Sequence, residues 1–277
     1  MADFTPWTED DAAAWIAVPG PDDDKYSRGV LGVVTGSTRY PGAAVLSVEA
    51  ALHTGVGMLR YLGPDRPTDL VLARRPEAVT ADGRVQAWLL GSGIDVGETE
   101  SVVVERMDAA VTSGLPCVLD AGALHLHART TAPVVLTPHA GELARLLGVD
   151  RASIAADPPG SAVRAAAELD ATVLLKGHTT HIAGPGITLS VQSAPSWLAT
   201  AGAGDALAGI LGALVATHAD EIAADPTALA RLAATAALVH GRAAQFAGKG
   251  GPFTILDLCA SVPFAVAMLV TPGLSPR

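Results

Sequence analysis

The chain is short of charge and holds no excess of basic residues. Only 17% of its 277 residues are charged, below the roughly 25% usual in soluble domains, while 49% are hydrophobic. The net charge is −10, which excludes nucleic-acid binding through a broad basic surface. A phosphate ligand is not excluded, because a helix N-terminus binds anions locally whatever the overall charge. The composition predicts a folded protein rather than a disordered one.

Cysteine and long apolar runs are also scarce. Cys117 and Cys259 stand in apolar segments without C-x-x-C spacing, which excludes a disulfide framework or a zinc site and predicts two buried thiols in a reducing compartment. The longest apolar run, residues 206–216, has 11 residues and is too short to cross a bilayer. The acidic start lacks the basic and apolar regions of a signal peptide. We therefore expect a cytoplasmic protein without a membrane segment.

Short apolar runs alternate with helical patterns, which predicts a mostly parallel sheet covered by helices on both faces. The predicted strands are residues 30–35, 57–62, 85–90, 117–119, 134–136 and 172–175, with an added β-hairpin at 179–182 and 187–191. The predicted helices are residues 8–16, 41–53, 98–113, 141–147, 162–169, 203–217, 227–247 and 254–269. Residues 19–24 and 157–160 are predicted loops. No linker or repeat divides the chain, so we expect a single domain over residues 1–277.

A glycine-rich turn leads directly into a strongly apolar predicted helix. Residues 202–205 read Gly-Ala-Gly-Asp, at the start of the helix over 203–217. Glycine permits positive φ and close approach to the backbone, and the free N–H groups of a first helical turn favour an anion. Asp205 lies at this helix start and can be a cap, a general base, or both. The glycine spacing fits neither a Walker A loop nor a Rossmann fingerprint.

The segment T-A-G-A-G-D-A-L-A-G at 200–209 resembles the anion-hole motif of the ribokinase-like superfamily. Within that superfamily the chain resembles the ADP-dependent NAD(P)H-hydrate dehydratases. Four further segments match the family in order: V-V-T-G-S with Y-P-G-A-A (33–44), L-G-S-G (90–93), L-T-P-H-A-G-E (136–142) and L-K-G-H-T-T (175–180). The sequence departs from the family pattern at Thr35, Ser92, Gly122, Ala140 and Ala203, where Gly, Pro, Asp, Pro and Thr are usual.

The resemblance implies a ribokinase-like α/β fold with its site along the carboxyl edge of the sheet. It implies dehydration of the (6S)-hydrates of NADH and NADPH to the intact cofactors, with ADP as co-substrate and with AMP and phosphate as products. Mg²⁺ is expected to bind mainly through the nucleotide phosphates, and no dedicated transition-metal site is expected. The family also implies small-molecule substrates and a homo-oligomer such as a tetramer, with no nucleic-acid or membrane partner.

The family motifs assign three roles to residues of this chain. Asp205 is the expected catalytic base. The expected hydrate-binding residues are Ala43, Gly93, His139 and Asp205. The expected nucleotide-binding residues are Lys176, Gly177, His178, Thr179, Thr180, Gly202, Ala203 and Gly204. Taken alone, Ala43 equally suits close helix–strand packing, an isolated His139 is more often structural, and a strand-end Lys176 is usually solvated.

Two other functions remain open on sequence grounds. One is an ATP-dependent kinase of the same superfamily that phosphorylates a vitamin precursor or a sugar. The other is a nucleotide sensor that binds without turnover, against which the intact Gly-x-Gly-Asp segment argues. A hydrate-turnover assay separates the dehydratase from both, and phosphorylation of a vitamin precursor separates the kinase from the sensor.

Overall fold

A computed structural model describes residues 3–95, 97 and 100–271, and a nine-stranded sheet lies at the centre of this part of the chain. The strands are β1 (Thr5–Pro6), β2 (Val30–Val34), β3 (Met58–Tyr61), β4 (Ala87–Leu90), β5 (Cys117–Leu119), β6 (Val134–Leu136), β7 (Thr172–Leu175), β8 (Thr180–Gly184) and β9 (Ile187–Val191). Their order is β1-β9-β8-β7-β6-β5-β4-β2-β3. Only β8 runs antiparallel to its neighbours, since β8 and β9 form the predicted hairpin.

Helices cover the sheet on both sides. They are α1 (Glu9–Ala13), α2 (Pro41–Thr54), α3 (Asp65–Arg74), α4 (Ser101–Val111), α5 (Ala140–Leu147), α6 (Arg151–Ala156), α7 (Pro158–Leu169), α8 (Ala203–Thr217), α9 (Ala219–Ala224), α10 (Ala228–Gly248) and α11 (Ile255–Val270). Two 3-10 segments lie at Ala121–Arg129 and Ser196–Leu198. No helix within the described residues has the length and hydropathy needed to cross a membrane.

Alternate residues of each central strand face two separate cores, because successive side chains of a strand point to opposite faces. One core lies under α2, α8, α10 and α11 and receives Leu31, Leu89, Val118, Val135 and Leu174. The other lies under α4, α5, α6 and α7 and receives Val34, Leu90, Leu119, Leu136 and Leu175. These strands are apolar on both faces, as expected of a parallel sheet with two helical layers. The predicted fold class is confirmed.

The predicted loop at 157–160 is wrong. Helix α7 already begins at Pro158, because Asp157 accepts a hydrogen bond from the Gly160 amide and caps this end. Proline is tolerated in a first helical turn, where the missing N–H would have no partner. Most other predicted elements are present with ends shifted by a few residues. For the helix predicted over 98–113, the structure has α4, and Glu98 lies outside the described residues.

Strands β2, β4, β5, β6 and β7 all run in the same direction, so their carboxyl ends meet at one edge of the sheet. The turn at 91–93 follows β4, and Asp120 follows β5. His139 comes three residues after β6, and Lys176 follows β7. Sheet direction alone therefore brings together polar residues from four separate segments, at the edge where ligands of open α/β sheets bind.

Candidate active site

Asp120 is the centre of a buried polar network at this edge. Its Oδ2 accepts a hydrogen bond from Ser92 at 2.9 Å, and its Oδ1 accepts from Thr137 at 2.8 Å. The Lys176 ammonium donates to the same Oδ1 at 2.9 Å and lies 3.8 Å from a Glu142 oxygen. Asp120 is 2% exposed, and burying its carboxylate is tolerable only because every oxygen has a partner. The network holds the Lys176 ammonium in place.

Lys176 is not solvated as a lone strand-end lysine usually is. The Lys176 side chain is only 21% exposed and is paired with a buried carboxylate. Burial lowers the pKa of Lys176, but Asp120 and Glu142 together raise it more, and the result lies above the usual value. Lys176 therefore remains a fixed positive charge.

Asp205 lies in the first turn of α8, close enough to this network to interact with it electrostatically. The N-cap of α8 is Gly202, and no side chain caps the helix, so Asp205 does not act as the cap. Burial raises the pKa of Asp205 to about 6, the nearby Asp120 carboxylate adds to the effect, and Lys176 opposes it. A carboxylate with a pKa near neutrality is suited to accept a proton.

The turn before α8 has the geometry of an anion site. Gly202 has φ of +91°, a left-handed conformation that side chains rarely adopt. The amides of Ala203, Gly204 and Asp205 belong to the first helical turn. The Ala203 amide donates to the Thr200 carbonyl at 3.4 Å, which leaves the Gly204 and Asp205 amides free within the described residues. A β-carbon placed on Gly204 would lie 3.4 Å from the Lys176 Nζ, so the ammonium is next to these amides. Helix dipole, free amides and ammonium all favour a negative group here.

A first cavity, of about 720 Å³, opens beside this turn. Of the predicted nucleotide-binding residues, those on its wall are Lys176, Gly177, His178, Thr180, Ala203 and Gly204. Thr179 and Gly202 are not on the wall. The remaining lining is largely apolar and comes from the 194–201 segment, Leu207 and His240. The cavity thus joins an anion-binding end to an apolar surface.

A second cavity, of about 700 Å³, has Glu142 in its wall. It is lined by Tyr40, Ile94, Asp95, Ala121, Gly122, Leu124, His125, Glu142, Arg145 and Leu146. Ala43 and Gly93 lie beside it, where α2 meets the turn after β4. A β-carbon on Gly93 would lie 2.4 Å from that of Ala43 and 3.1 Å from the Tyr40 carbonyl oxygen. Both residues therefore permit close packing at this junction, and they do not share a cavity wall with His139.

His139 has a structural role that the sequence left open. It is the N-cap of α5, where its Nδ1 accepts hydrogen bonds from the amides of Gly141 (3.0 Å) and Glu142 (3.2 Å). The Glu142 side chain accepts one from the His139 amide at 2.8 Å, which completes a capping box. Since Nδ1 is an acceptor, the ring proton is on Nε2. His139 lines the first cavity, and its Nε2 lies 3.5 Å from a Glu142 carboxylate oxygen.

Sequence reasoning missed Asp120, Glu142 and Ser92 as members of the site. Asp120 had a usable signal, since it follows a buried strand at the same edge as Lys176. Ser92 is one of the departures from the family pattern, and the structure gives it a hydrogen bond to Asp120. Glu142 is within a matched motif, but its proximity to Lys176 depends on the packing of α5.

The residues at the anion turn fit a magnesium ion only if a nucleotide supplies most of its ligands. Both Asp120 oxygens already have partners, which leaves Asp205 as the carboxylate nearest the free amides. In the described ranges, His, Cys, Asp and Glu side chains do not gather in threes or more as a metal centre would need. Mg²⁺ commonly binds through one or two carboxylates plus substrate phosphates.

The mostly parallel sheet with helices on both faces and the glycine turn before α8 together define a ribokinase-like α/β fold, with a buried acid and an ammonium beside the turn. The family model described as NAD(P)H-hydrate dehydratase matches residues 31–255, and the chain belongs to this family. The family predicted from the sequence motifs is confirmed.

Two curated relatives show the extent of the similarity. The bifunctional NAD(P)H-hydrate repair enzyme of Mycobacterium tuberculosis is 45% identical over 220 residues, which are 75% of this chain and 45% of that protein. The chain thus spans about half the length of such relatives. The ADP-dependent (S)-NAD(P)H-hydrate dehydratase of Xanthomonas campestris is 35% identical over 75% of this chain and 79% of its own.

A solved structure agrees with the fold. The ADP/ATP-dependent NAD(P)H-hydrate dehydratase of Bacillus subtilis, co-crystallised with ATP and Mg²⁺, is 25% identical. It superposes with a TM-score of 0.85 over 97% of this chain and 100% of its own.

Proposed function

We propose that this chain dehydrates the (6S)-hydrates of NADH and NADPH, with ADP as the phosphoryl donor. The observation that carries the proposal is Asp205, an acid with a pKa of about 6 at an anion-binding helix start beside the buried Lys176 ammonium. The names of the relatives support the substrate class, and ADP is the donor named for the Xanthomonas relative.

In the proposed reaction, the hydroxyl on C6 of the hydrated ring attacks the terminal phosphorus of ADP, and AMP leaves. Asp205 accepts the hydroxyl proton. The lone pair of the ring nitrogen then expels phosphate as the C6–O bond breaks, and loss of a C5 proton restores the dihydropyridine. Phosphorylation is useful because phosphate is a much better leaving group than hydroxide.

The protein's contribution is mainly electrostatic, as in other phosphoryl transfers. The amides of the first α8 turn and the Lys176 ammonium would stabilise charge on the transferring group. We assign the first cavity to the nucleotide and the second to the hydrated dinucleotide. Mg²⁺ would bind mainly through the phosphates and would neutralise part of their charge.

The test is direct. Purified protein is mixed with acid-generated NADPH hydrate, Mg²⁺ and either ADP or ATP, and the return of the reduced-nicotinamide absorbance is followed. Recovery with ADP supports the proposal, and comparison with ATP identifies the donor. If neither nucleotide restores absorbance while a vitamin precursor becomes phosphorylated, the kinase function replaces it. Nucleotide binding without any product would indicate a sensor.

We also propose a cytoplasmic homo-oligomer, such as a tetramer. Helix α11 supports this assembly, because Leu256 and Phe264 are each 38% exposed on a helix whose one charged residue is Asp257. Sedimentation measures the assembly, and a monomer at micromolar concentration would contradict it.

A further inference from the structure

His240 is a buried histidine on the wall of the first cavity for which neither the motifs nor the proposed reaction gives a role. It lies in the middle of α10 and is only 7% exposed. It is also part of the cavity lining, together with Ala203 and Leu207 of α8. A polar side chain at such a position normally has all its hydrogen bonds satisfied.

The Nε2 atom of His240 is fully enclosed and has no hydrogen-bond partner within the described residues, whereas Nδ1 is not enclosed in this way and is the ring nitrogen that a cavity ligand would reach. The Ala203 backbone is close enough to favour the protonated ring to some degree, yet it makes no hydrogen bond of normal geometry with Nε2. Burial outweighs this contact and lowers the pKa of His240 to about 4, so the ring is neutral near pH 7. A neutral ring with a free nitrogen suits an uncharged polar group better than a phosphate.

The wall around His240 is held in a fixed position. A β-carbon on the next residue, Gly241, would lie 2.1 Å from the Ser193 Oγ, so the chain at 193 packs directly on α10. Gln245, one turn further along α10, donates a hydrogen bond to the Ser193 carbonyl at 2.7 Å. The chain then continues into Ala194 and Pro195, which form apolar cavity wall. An apolar surface with a few hydrogen-bonding groups is the usual way to hold a flat heterocycle, and this wall also carries Ser196 and Thr200.

We propose that His240 hydrogen-bonds the base of the nucleotide and thereby sets which base the enzyme prefers. The inference rests on the proposed function, because it takes the first cavity to be the nucleotide site. The phosphates would lie at the Lys176 end and the base against the apolar wall, with its polar edge towards the ring of His240.

The test compares nucleotide affinities by calorimetry for the wild type, His240→Leu and His240→Gln. The ligands are ADP, GDP, IDP and CDP, which differ only in the base, and inorganic pyrophosphate, which has none. His240→Leu should weaken ADP binding by roughly tenfold, narrow the differences between bases and leave pyrophosphate binding unchanged. His240→Gln, which keeps a hydrogen-bonding group at a similar distance, should restore part of the ADP affinity.

His181→Leu is the matched control. Its Nδ1 is also buried and unpaired, but His181 packs edge-on against Phe4 and is not on the cavity wall. This variant should bind all the nucleotides as the wild type does. His240→Leu should fold at least as well as the wild type, since it removes an unpaired buried polar atom. If His240→Leu does not fold, the test rests on His240→Gln, which should change the order of affinities among the four bases.

An equal loss for every base and for pyrophosphate would overturn the inference, because His240 would then act on the phosphates or the α8 turn. Unchanged ADP binding in both variants would overturn it as well. Hydrate turnover by the wild type distinguishes this failure from failure of the proposed function. If the wild type recovers absorbance with ADP, the proposed function stands even when the inference about His240 fails. If the wild type binds no nucleotide, both the proposed function and the inference are wrong.

Discussion

Replacing Asp205 with asparagine should abolish most turnover and also stabilise the protein, two effects that a structural aspartate would not combine. The pKa of this carboxyl is about 6 in the folded protein, against an ordinary value of 3.8 for an aspartate. Between these values the native state binds more protons than the unfolded one, so this group's contribution to stability falls as pH rises from about 4 to about 6. Above pH 6 the carboxyl group is ionised in both states, and its burial lowers the free energy of unfolding by a constant amount.

The difference of roughly 2 pKa units corresponds to about 3 kcal/mol, at about 1.4 kcal/mol per unit. Asp205→Asn removes this charge and keeps the shape. The free energy of unfolding should therefore rise by up to about 3 kcal/mol at pH 7.5, which is roughly 5 °C in Tm for a chain of this size. At pH 4, where the wild-type carboxyl is largely protonated, the gain should nearly vanish.

The assays are denaturant unfolding at both pH values and hydrate turnover. Turnover should fall by roughly 10² to 10⁴, the usual contribution of a positioned base, and the wild-type pH–rate profile should lose activity below about pH 6. Asp257, in the first turn of α11, is the matched control because a Thr254 hydrogen bond lowers its pKa. Asp257→Asn should lose stability at neutral pH and keep its turnover. A folded Asp205→Asn protein with normal turnover, or one with no gain at pH 7.5, would refute the reasoning.

Three further variants test the polar network. Lys176→Met leaves Asp120 buried without its ion pair, so the free energy of unfolding should fall by about 3 kcal/mol, and the acid limb of the pH–rate profile should move above pH 6. Asp120→Asn removes the charge that raises the Asp205 pKa, so the acid limb should move below pH 6. If the acid limb moved by the same amount and in the same direction in Lys176→Met and Asp120→Asn, the network would be contradicted. His139→Ala should lose about 1 kcal/mol as the cap of α5 is lost, whereas His139→Asn, a good cap, should not. If His139 also binds the hydrate, both should raise the KM for the hydrate more than the KM for ADP.

The sheet could be predicted from the sequence because its strands are short, continuous apolar runs. Strands β5, β6 and β7 begin and end at the predicted residues. Helix α3 could not be predicted, because it buries only Pro67 and Val71 and so shows little apolar periodicity. The start of α7 was missed because two successive prolines look like a loop, whereas the side chain of Asp157 makes them a first helical turn.

The site was predictable only where its residues belong to contiguous motifs. Lys176, His139 and Asp205 were found in this way, but what each one touches depends on tertiary structure. Asp120 joins them because β5 lies beside β6 and β4 in a parallel sheet, and a sequence pattern within one segment does not contain that arrangement. His240 is more than thirty residues after the anion turn, and α10 brings it to the cavity.

The charges around Lys176 imply that nucleotide binding depends on pH through Asp205. Asp120, Glu142 and Asp205 all act on the Lys176 ammonium, so an ionised Asp205 adds one more negative charge to a group whose carboxylates already outnumber that ammonium. A phosphate arriving at the α8 turn is repelled by that carboxylate, and binding should weaken as pH rises through 6. In Asp205→Asn this loss should be absent. We expect the variant to bind ADP about tenfold more tightly than the wild type at pH 8, and about equally at pH 5. Calorimetry at fixed Mg²⁺ gives the ratio of the two affinities at each pH, and the ratio cancels the titration of the nucleotide itself. A ratio that does not change between pH 5 and pH 8 would show that Asp205 is too far from the phosphates to accept a proton beside them.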